Sequence, residues 1–221
     1  MFGKIRQLKQ FRFQYSDDMS RLMKRAETIL LANNIEGLKD LQRTILRALQ
    51  SRIMLAPYLA PDHTPIGEIN FNFCSSVTMQ RCCKGSAKAN ISLKEPIITF
   101  PWHPDRILNN LGTIGPNRIK GHFKSSSNHS VNYYWPLMLA QVTGGNHSIA
   151  QGIIMGEGNV EIDDWYDLTP LMDRYRYDGN VWLDVENEQT VCHCITPELG
   201  MAWEIGRLIS RKCPPPFGDN S

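Results

Sequence analysis

No stretch of this sequence is apolar for long enough to cross a bilayer as a helix, which argues against a helical membrane protein. The first ten residues, Met1 to Gln10, are basic, but neither an apolar run nor a small-residue cleavage site follows them, so a secretory signal is not expected. The cytoplasm is the expected location, and no membrane is expected as a partner. No internal fold repeat is visible, although Asn-His-Ser occurs twice, at 128–130 and at 146–148. Net charge is scarce as well. The formal balance of +2 hides an asymmetry, with eleven Lys/Arg against five Asp/Glu in residues 1–55 and thirteen against seventeen in the rest. A basic first quarter can dock nucleic acid or an acidic partner, and it can equally be the wet face of a helical hairpin.

What is present is an ordinary globular composition. A chain of 221 residues with 42% hydrophobic and 21% charged residues can bury a sizeable core, as one domain with an appendage or as two small domains. The six cysteines, without an export signal, read as reduced thiols available for packing, metal ligation or redox chemistry. Cys192 and Cys194 point the same way from an extended segment and, joined by Cys82 and Cys83, could complete a zinc site. Their spacing is not that of a standard knuckle or ribbon, so no metal is assigned.

Ser16-Asp17-Asp18 offers a helix cap ahead of Met19, Leu22, Met23, Ala26, Ile29 and Leu30, whose spacing is helical. Asn33-Asn34 breaks that helix. Ile35, Leu38, Leu41, Ile45 and Leu49 mark a second one, expected to stop before Pro57. Residues 1–56 therefore form a helical hairpin, which could also dock a protein partner. Pro57, Pro61, Pro65 and Gly67 have linker composition, and an α/β domain is expected over 57–212, followed by a Pro-rich tail at 213–221.

Within the second part, Glu68–Phe73 and Ser92–Phe100 have strand character. Pro104, Asp105 and Arg106 open a short helix with Ile107, Leu108 and Leu111 facing in. Residues 112–130 form a polar, mobile loop of the kind that carries function. Val131–Val142 reads as a strand interrupted at Pro136, and Glu161–Asp167 as an acidic loop before a weak helix near Leu168–Tyr175. Asp178-Gly179-Asn180 turns the chain into a strand, Val181–Val185. A final helix starts at Thr196-Pro197-Glu198, with Leu199, Ala202, Trp203, Gly206 and Ile209 inside.

The chemistry concentrates at Gly144-Gly145-Asn146-His147-Ser148, where a buried strand turns into a helix. Two glycines let the backbone turn sharply and approach a ligand closely, and the helix start aims free N–H groups at whatever fills the turn. An anion is favoured there by the helix dipole. Asn146, His147 and Ser148 add an amide, an imidazole and a hydroxyl. His129, at the end of the polar loop, can fold over the turn, and Arg106, at the start of the short helix, can fork onto a phosphate.

Pro136-Leu137, Val142 and Gly145-Asn146-His147-Ser148 resemble the central strand–turn–helix motif of the ParB/sulfiredoxin-like superfamily. The resemblance covers residues 90–190 and implies a mixed-sheet α/β domain behind the helical hairpin, with a phosphate site at this turn. It also implies a nucleotide ligand of the ATP, CTP or NAD kind, with Mg²⁺, and is compatible with a toxin or phage-defence role. The arginine that grips the triphosphate in partition proteins is replaced here by Ser148, and the cysteine of sulfiredoxin is absent, so neither activity transfers.

The expected function is a nucleotide- or phosphate-ester-dependent enzyme, catalysing phosphoryl transfer, nucleotide hydrolysis or nuclease action. Gly144, Gly145, Asn146 and Ser148 would hold phosphate, His147 would act as acid/base, and His129 or Arg106 would stabilise developing charge. Two alternatives stand beside it. One is a nucleotide-sensing regulator that binds DNA through Arg43, Arg47 and Arg52 of the hairpin; the other is a non-catalytic protein-interaction factor.

Overall fold

The computed structural model describes residues 13–60 and 71–218. The basic lead, most of the proline-rich connection and the first half of the expected strand at 68–73 lie outside the described residues. Phe71–Phe73 itself forms turns rather than a strand.

Helix α1 spans Asp17–Leu31, with Asp17 and Asp18 in its first turn where the helix dipole favours negative charge. It buries Met19, Met23 and Ala26, the inward stripe that the helical spacing sets. Helix α2 spans Ile35–Leu59 and is capped by Asn34, whose side chain accepts from Gly37 N–H at 2.9 Å. It does not stop before Pro57. The proline falls in the last turn, where the missing N–H removes a single helix bond, and Ala60 N–H still bonds to Ala56 O.

Two buried glutamines fasten α2 to the rest of the chain. Gln42 Nε2 donates to the carbonyls of Pro136 and Leu137, and Gln50 Nε2 donates to Ile97 O at 2.8 Å. Each gives a buried backbone acceptor a partner it would otherwise lack.

After α3 (Ser76–Arg81), the stretch expected as one strand over 92–100 is divided into β1 (Asn90–Ser92) and β2 (Ile97–Ile98) by a turn closed by Glu95 N–H on Ser92 O. Helix α4 (Pro104–Asn110) begins at its proline and buries Ile107. Leu108 and Leu111, also expected to face in, are 65% and 45% exposed, and Leu111 falls past the end of the helix as its C-cap. The run 131–142 is likewise not one strand. It folds into a hairpin, β3 (Ser130–Trp135) and β4 (Leu139–Gly144), with Pro136 in the turn, a place that asks no ladder bond of it.

Strand β4 feeds α5 (Asn146–Met155), and the chain returns as β5 (Asn159–Asp167). The expected acidic loop is thus a strand. Val160, Ile162 and Trp165 point into the core, while Glu161 and Asp163 occupy the outer face, and a register shift opposite Val131/Asn132 sets the phase of the second half. The expected weak helix shrinks to a single 3₁₀ turn at Thr169–Leu171, followed by β6 (Tyr175–Tyr177), β7 (Val181–Asp184), β8 (Gln189–His193) and α6 (Pro197–Ser210).

The strands form two sheets. One has the order β1-β5-β3-β4-β2, with β1/β5 and β3/β4 antiparallel and β5/β3 and β4/β2 parallel; the other is the antiparallel β6-β7-β8. Helix α6 lies against α1, α2 and β6, and one hydrophobic core runs without a break from the helical pair to the larger sheet. The architecture is mixed α/β with an N-terminal helical pair. The proline-rich tail is part of it too, since Phe217 sets its ring edge-on to both Tyr133 and Trp165.

A buried charge cluster ties the ends of this arrangement together. The fully buried Glu204 of α6 accepts from Arg176, Arg207, the Tyr15 hydroxyl at 2.6 Å and the N–H of Tyr177 at 3.0 Å. Burial, and then the nearby carboxylate, push the Tyr15 phenol up to about 12, so it remains a donor.

Candidate functional site

Gly145 is the pivot of the strand-to-helix turn. It sits in the left-handed region at φ +78°, and a Cβ there would lie 2.3 Å from Cδ2 of His129. The glycine therefore permits both the turn and the close approach of the second histidine. The first backbone bond of α5 is Ile149 N–H to Gly145 O at 3.1 Å, so the N–H groups of Asn146, His147 and Ser148 have no partner among the described residues.

Around this turn lies an open pocket of about 410 Å³. Arg106 and Asn110 from α4 line it, with Ser126, Asn128 and His129 from the polar loop and Gly145, His147 and Ser148 from the turn. All three side chains expected to act on a ligand, Arg106, His129 and His147, are thus brought together although 41 residues separate the first from the last. Arg106 is exposed and pairs with no carboxylate among the described residues, and no carboxylate lines the pocket.

The hydrogen bonds fix where the ring protons are. His103 N–H donates to His147 Nε2 at 3.0 Å, so the neutral ring carries its proton on Nδ1. Burial, followed by the charge of Arg106, holds the His147 pKa below the usual histidine value. His147 is therefore a neutral hydrogen-bond donor at Nδ1, not the free acid/base expected from sequence, because its basic nitrogen is already engaged. Ser126 N–H donates to His129 Nδ1 at 3.0 Å, leaving the proton of that ring on Nε2, 2.7 Å from Ser148 Oγ. Burial lowers the His129 pKa as well.

The loop that carries His129 is pinned rather than loose. Phe123 is buried and stacks on the imidazole with centroids 5.1 Å apart, and Glu157 accepts from Phe123 N–H at 3.1 Å and pairs with His122 at 2.7 Å. Those contacts pull the Glu157 carboxyl below its ordinary pKa, the His122 bond first. Buried Gln151 of α5 accepts from Gly112 N–H at 3.2 Å at the other end of the same loop.

Two residues expected to hold phosphate point elsewhere. Asn146 Oδ1 accepts from Thr99 Oγ1 at 2.9 Å and from Phe100 N–H at 2.8 Å, and so joins the start of α5 to the end of β2. Gly144 closes β4 against the Asn128 carbonyl and does not line the pocket. Asn110, Ser126 and Asn128 were not assigned from sequence. Their only signal there was the polar composition of residues 112–130, which does not say which side chains turn inward.

Other expectations can now be placed. Arg43 pairs with Glu95 and Asp40, Arg47 donates to Lys94 O, and Arg52 forks onto Glu198, so each proposed DNA contact of the hairpin is held within the chain. Among the described residues, no three His, Cys, Asp or Glu side chains are grouped to hold a metal ion, and the four cysteines of the proposed zinc site do not form such a group. Burial raises the pKa of Cys74, to about 11, and of Cys82, Cys192 and Cys194, which keeps these thiols protonated. Two of the acidic residues beyond α5 are held within the chain as well. Asp163 is engaged by Ser130, and Asp167 by Thr169 N–H. No described helix is long and apolar enough to cross a membrane.

Fold and site together define a mixed α/β protein with a polar cleft at a strand-to-helix turn, lined by no carboxylate among the described residues. By sequence profile, residues 4–213 match the family described as a family of unknown function, DUF6710, and the chain belongs to that family. No curated protein and no solved structure matches it.

Proposed function

We propose that this protein binds a phosphate ester in the cleft at the start of α5 and acts on its phosphoryl group. The observation that carries this reading is the lining of the cleft. Among the described residues, a guanidinium without a carboxylate partner, two neutral imidazoles with assigned protons and an uncapped helix start converge on one space, and no anionic side chain lines it. Arg106 takes two phosphoryl oxygens, while His147 Nδ1–H and the N–H groups of the turn take the others.

Such donors gain most where negative charge grows on those oxygens, which suits phosphoryl transfer or phosphate-ester hydrolysis. A volume of about 410 Å³ lies within the range of small-molecule sites and exceeds what phosphate alone needs. The path from β4 through Gly144-Gly145 into α5 supports the likeness to the ParB/sulfiredoxin-like superfamily at this motif.

The test is a thermal-shift titration with inorganic phosphate, sugar phosphates and nucleotides, with and without Mg²⁺, followed by phosphate-release assays on every compound that stabilises the fold. Arg106→Ala is expected to weaken binding by roughly 10- to 150-fold, the worth of a charge-assisted bond of about 1.5–3 kcal/mol. A folded protein that no phosphate compound stabilises at millimolar concentration rejects the proposal.

A further inference from the structure

The chain has five tryptophans, and four are buried: Trp135, Trp165, Trp182 and Trp203 are at most 4% exposed. Trp102 is 50% exposed. An indole surface of this size loses hydrophobic stabilisation by facing water. It lies two residues before α4, whose Arg106 and Asn110 line the cleft. Its ring centroid is 6.0 Å from that of His147, with 65° between the planes, and 5.5 Å from that of His103. Trp102 stands just outside the residues that line the cleft, so a ligand in contact with His147 is one side chain away from a half-exposed indole.

The cleft also supplies amides. Asn110 Oδ1 accepts from Lys120 Nζ at 3.2 Å, which leaves its NH₂ group to donate, and Asn128 of the polar loop lines the same cleft. An aromatic platform next to a cation-bearing cleft with amide walls is the chemistry that takes a flat heterocycle joined to a phosphate. A sugar phosphate can offer the indole only C–H contacts, whereas any nucleobase has a π face to stack on it.

We propose that the ligand of this cleft is a nucleoside phosphate, free or at the end of a single strand, whose base stacks on Trp102 while Arg106 holds its phosphate. The inference rests on the phosphate-ester reading and adds the substrate class and Trp102 as its specificity-determining residue. The indole acts by stacking, so Phe at this position keeps part of the function and Ala none of it.

Because Trp102 is the one exposed indole, its fluorescence reports the contact directly. The wild type, Trp102→Phe and Trp102→Ala are titrated with inorganic phosphate, ribose 5-phosphate, the common nucleoside monophosphates and a short single-stranded oligonucleotide carrying a terminal phosphate. Binding is followed by thermal shift and, in the wild type, also by quenching of the exposed indole. The expected result is tighter binding of nucleoside phosphates than of ribose 5-phosphate by roughly 5- to 150-fold, the range that base–aromatic stacking supplies. That margin disappears in Trp102→Ala, survives in part in Trp102→Phe, and is accompanied by quenching. Inorganic phosphate binds all three proteins alike.

If ribose 5-phosphate and nucleoside phosphates bind equally, or if Trp102→Ala keeps the margin, the inference is overturned while the phosphate-ester reading stands. If no phosphate compound binds, both fall. Preference for the oligonucleotide over free nucleotides assigns the single strand as the source, and the reverse order assigns the free nucleotide. The substitution sits on an exposed side chain, and unchanged melting temperatures of the ligand-free variants confirm that folding is intact.

Discussion

His129 Nε2 and Ser148 Oγ lie 2.7 Å apart, and the proton between them belongs to the imidazole. A serine beside a histidine ordinarily raises the prospect of an activated nucleophile, with the ring nitrogen accepting from the hydroxyl. Here Ser126 N–H occupies Nδ1, so the neutral ring must donate from Nε2, and the serine passes its own proton to Gly145 O at 3.1 Å. The dyad has the spacing of a nucleophile and base but the opposite polarity.

Ser148 is accordingly expected to resist a serine-directed fluorophosphonate. Ser148→Ala is expected to weaken phosphate-ester binding by no more than about 1 kcal/mol, the net worth of one neutral hydrogen bond. Mass spectrometry of the treated protein checks the first point, and covalent labelling at Ser148 would falsify the assigned polarity.

Acidification should loosen the site before it unfolds the rest. Burial places both His129 and His147 below the usual histidine pKa, so between their folded values and about 6.5 the unfolded chain binds more protons than the folded one. Their contribution to stability is complete above about pH 6.5 and is lost as pH falls through the lowered folded values. Melting temperatures measured from about pH 7.5 down to pH 5 should fall, and less steeply in His147→Gln, whose carbonyl oxygen can still accept from His103 N–H. Equal slopes in the two proteins would remove His147 from the account.

Gly145→Ala combines a conformational penalty with a collision. The positive φ alone costs about 1–2 kcal/mol, and the added methyl must displace the His129 ring. Urea unfolding should report at least that loss. Phosphate-ester binding should fall further than it does for Ser148→Ala, since moving His129 disturbs the wall of the cleft.

Glu204→Ala leaves Arg176 and Arg207 with no counter-charge in the core, a change expected to cost about 3–5 kcal/mol. Far-UV circular dichroism with urea titration measures it. A loss below about 1 kcal/mol would mean that water reaches the cluster once the carboxylate is gone.

Much of this molecule could be read from residue spacing. The stripes of α1, α2 and α6 were legible because a 3.6-residue period survives any choice of neighbour, and Met19, Met23, Leu38, Leu49, Ala202 and Trp203 are buried as those stripes require. The turn at Gly144-Gly145 was legible because paired glycines ahead of a polar triplet leave few alternatives. Strand β5 was not, since its acidic outer face masks the alternation of Val160 and Ile162, and a register shift then breaks the phase before Trp165. The hairpin at Pro136 read as one strand because both arms are apolar and the turn between them contains no polar residue. Within the site, residue type pointed to His147 and His129, but their roles depend on the backbone N–H groups of His103 and Ser126. No side-chain pattern encodes where those N–H groups point.

The partners of Glu204 come from positions 15, 176, 177 and 207, which has a consequence in time as well as in space. A polypeptide is made from its amino end, so Tyr15 and Arg176 leave the ribosome before the carboxylate that joins them. Until α6 emerges, the guanidinium of Arg176 lacks the carboxylate of Glu204, and the segment before α1 meets β6 and the turn after it through Tyr15, Phe13 and the Ser16 N–H. The cluster can therefore be completed only after α6 has been made, which places the joining of the segment before α1 to β6 through this carboxylate at the end of synthesis.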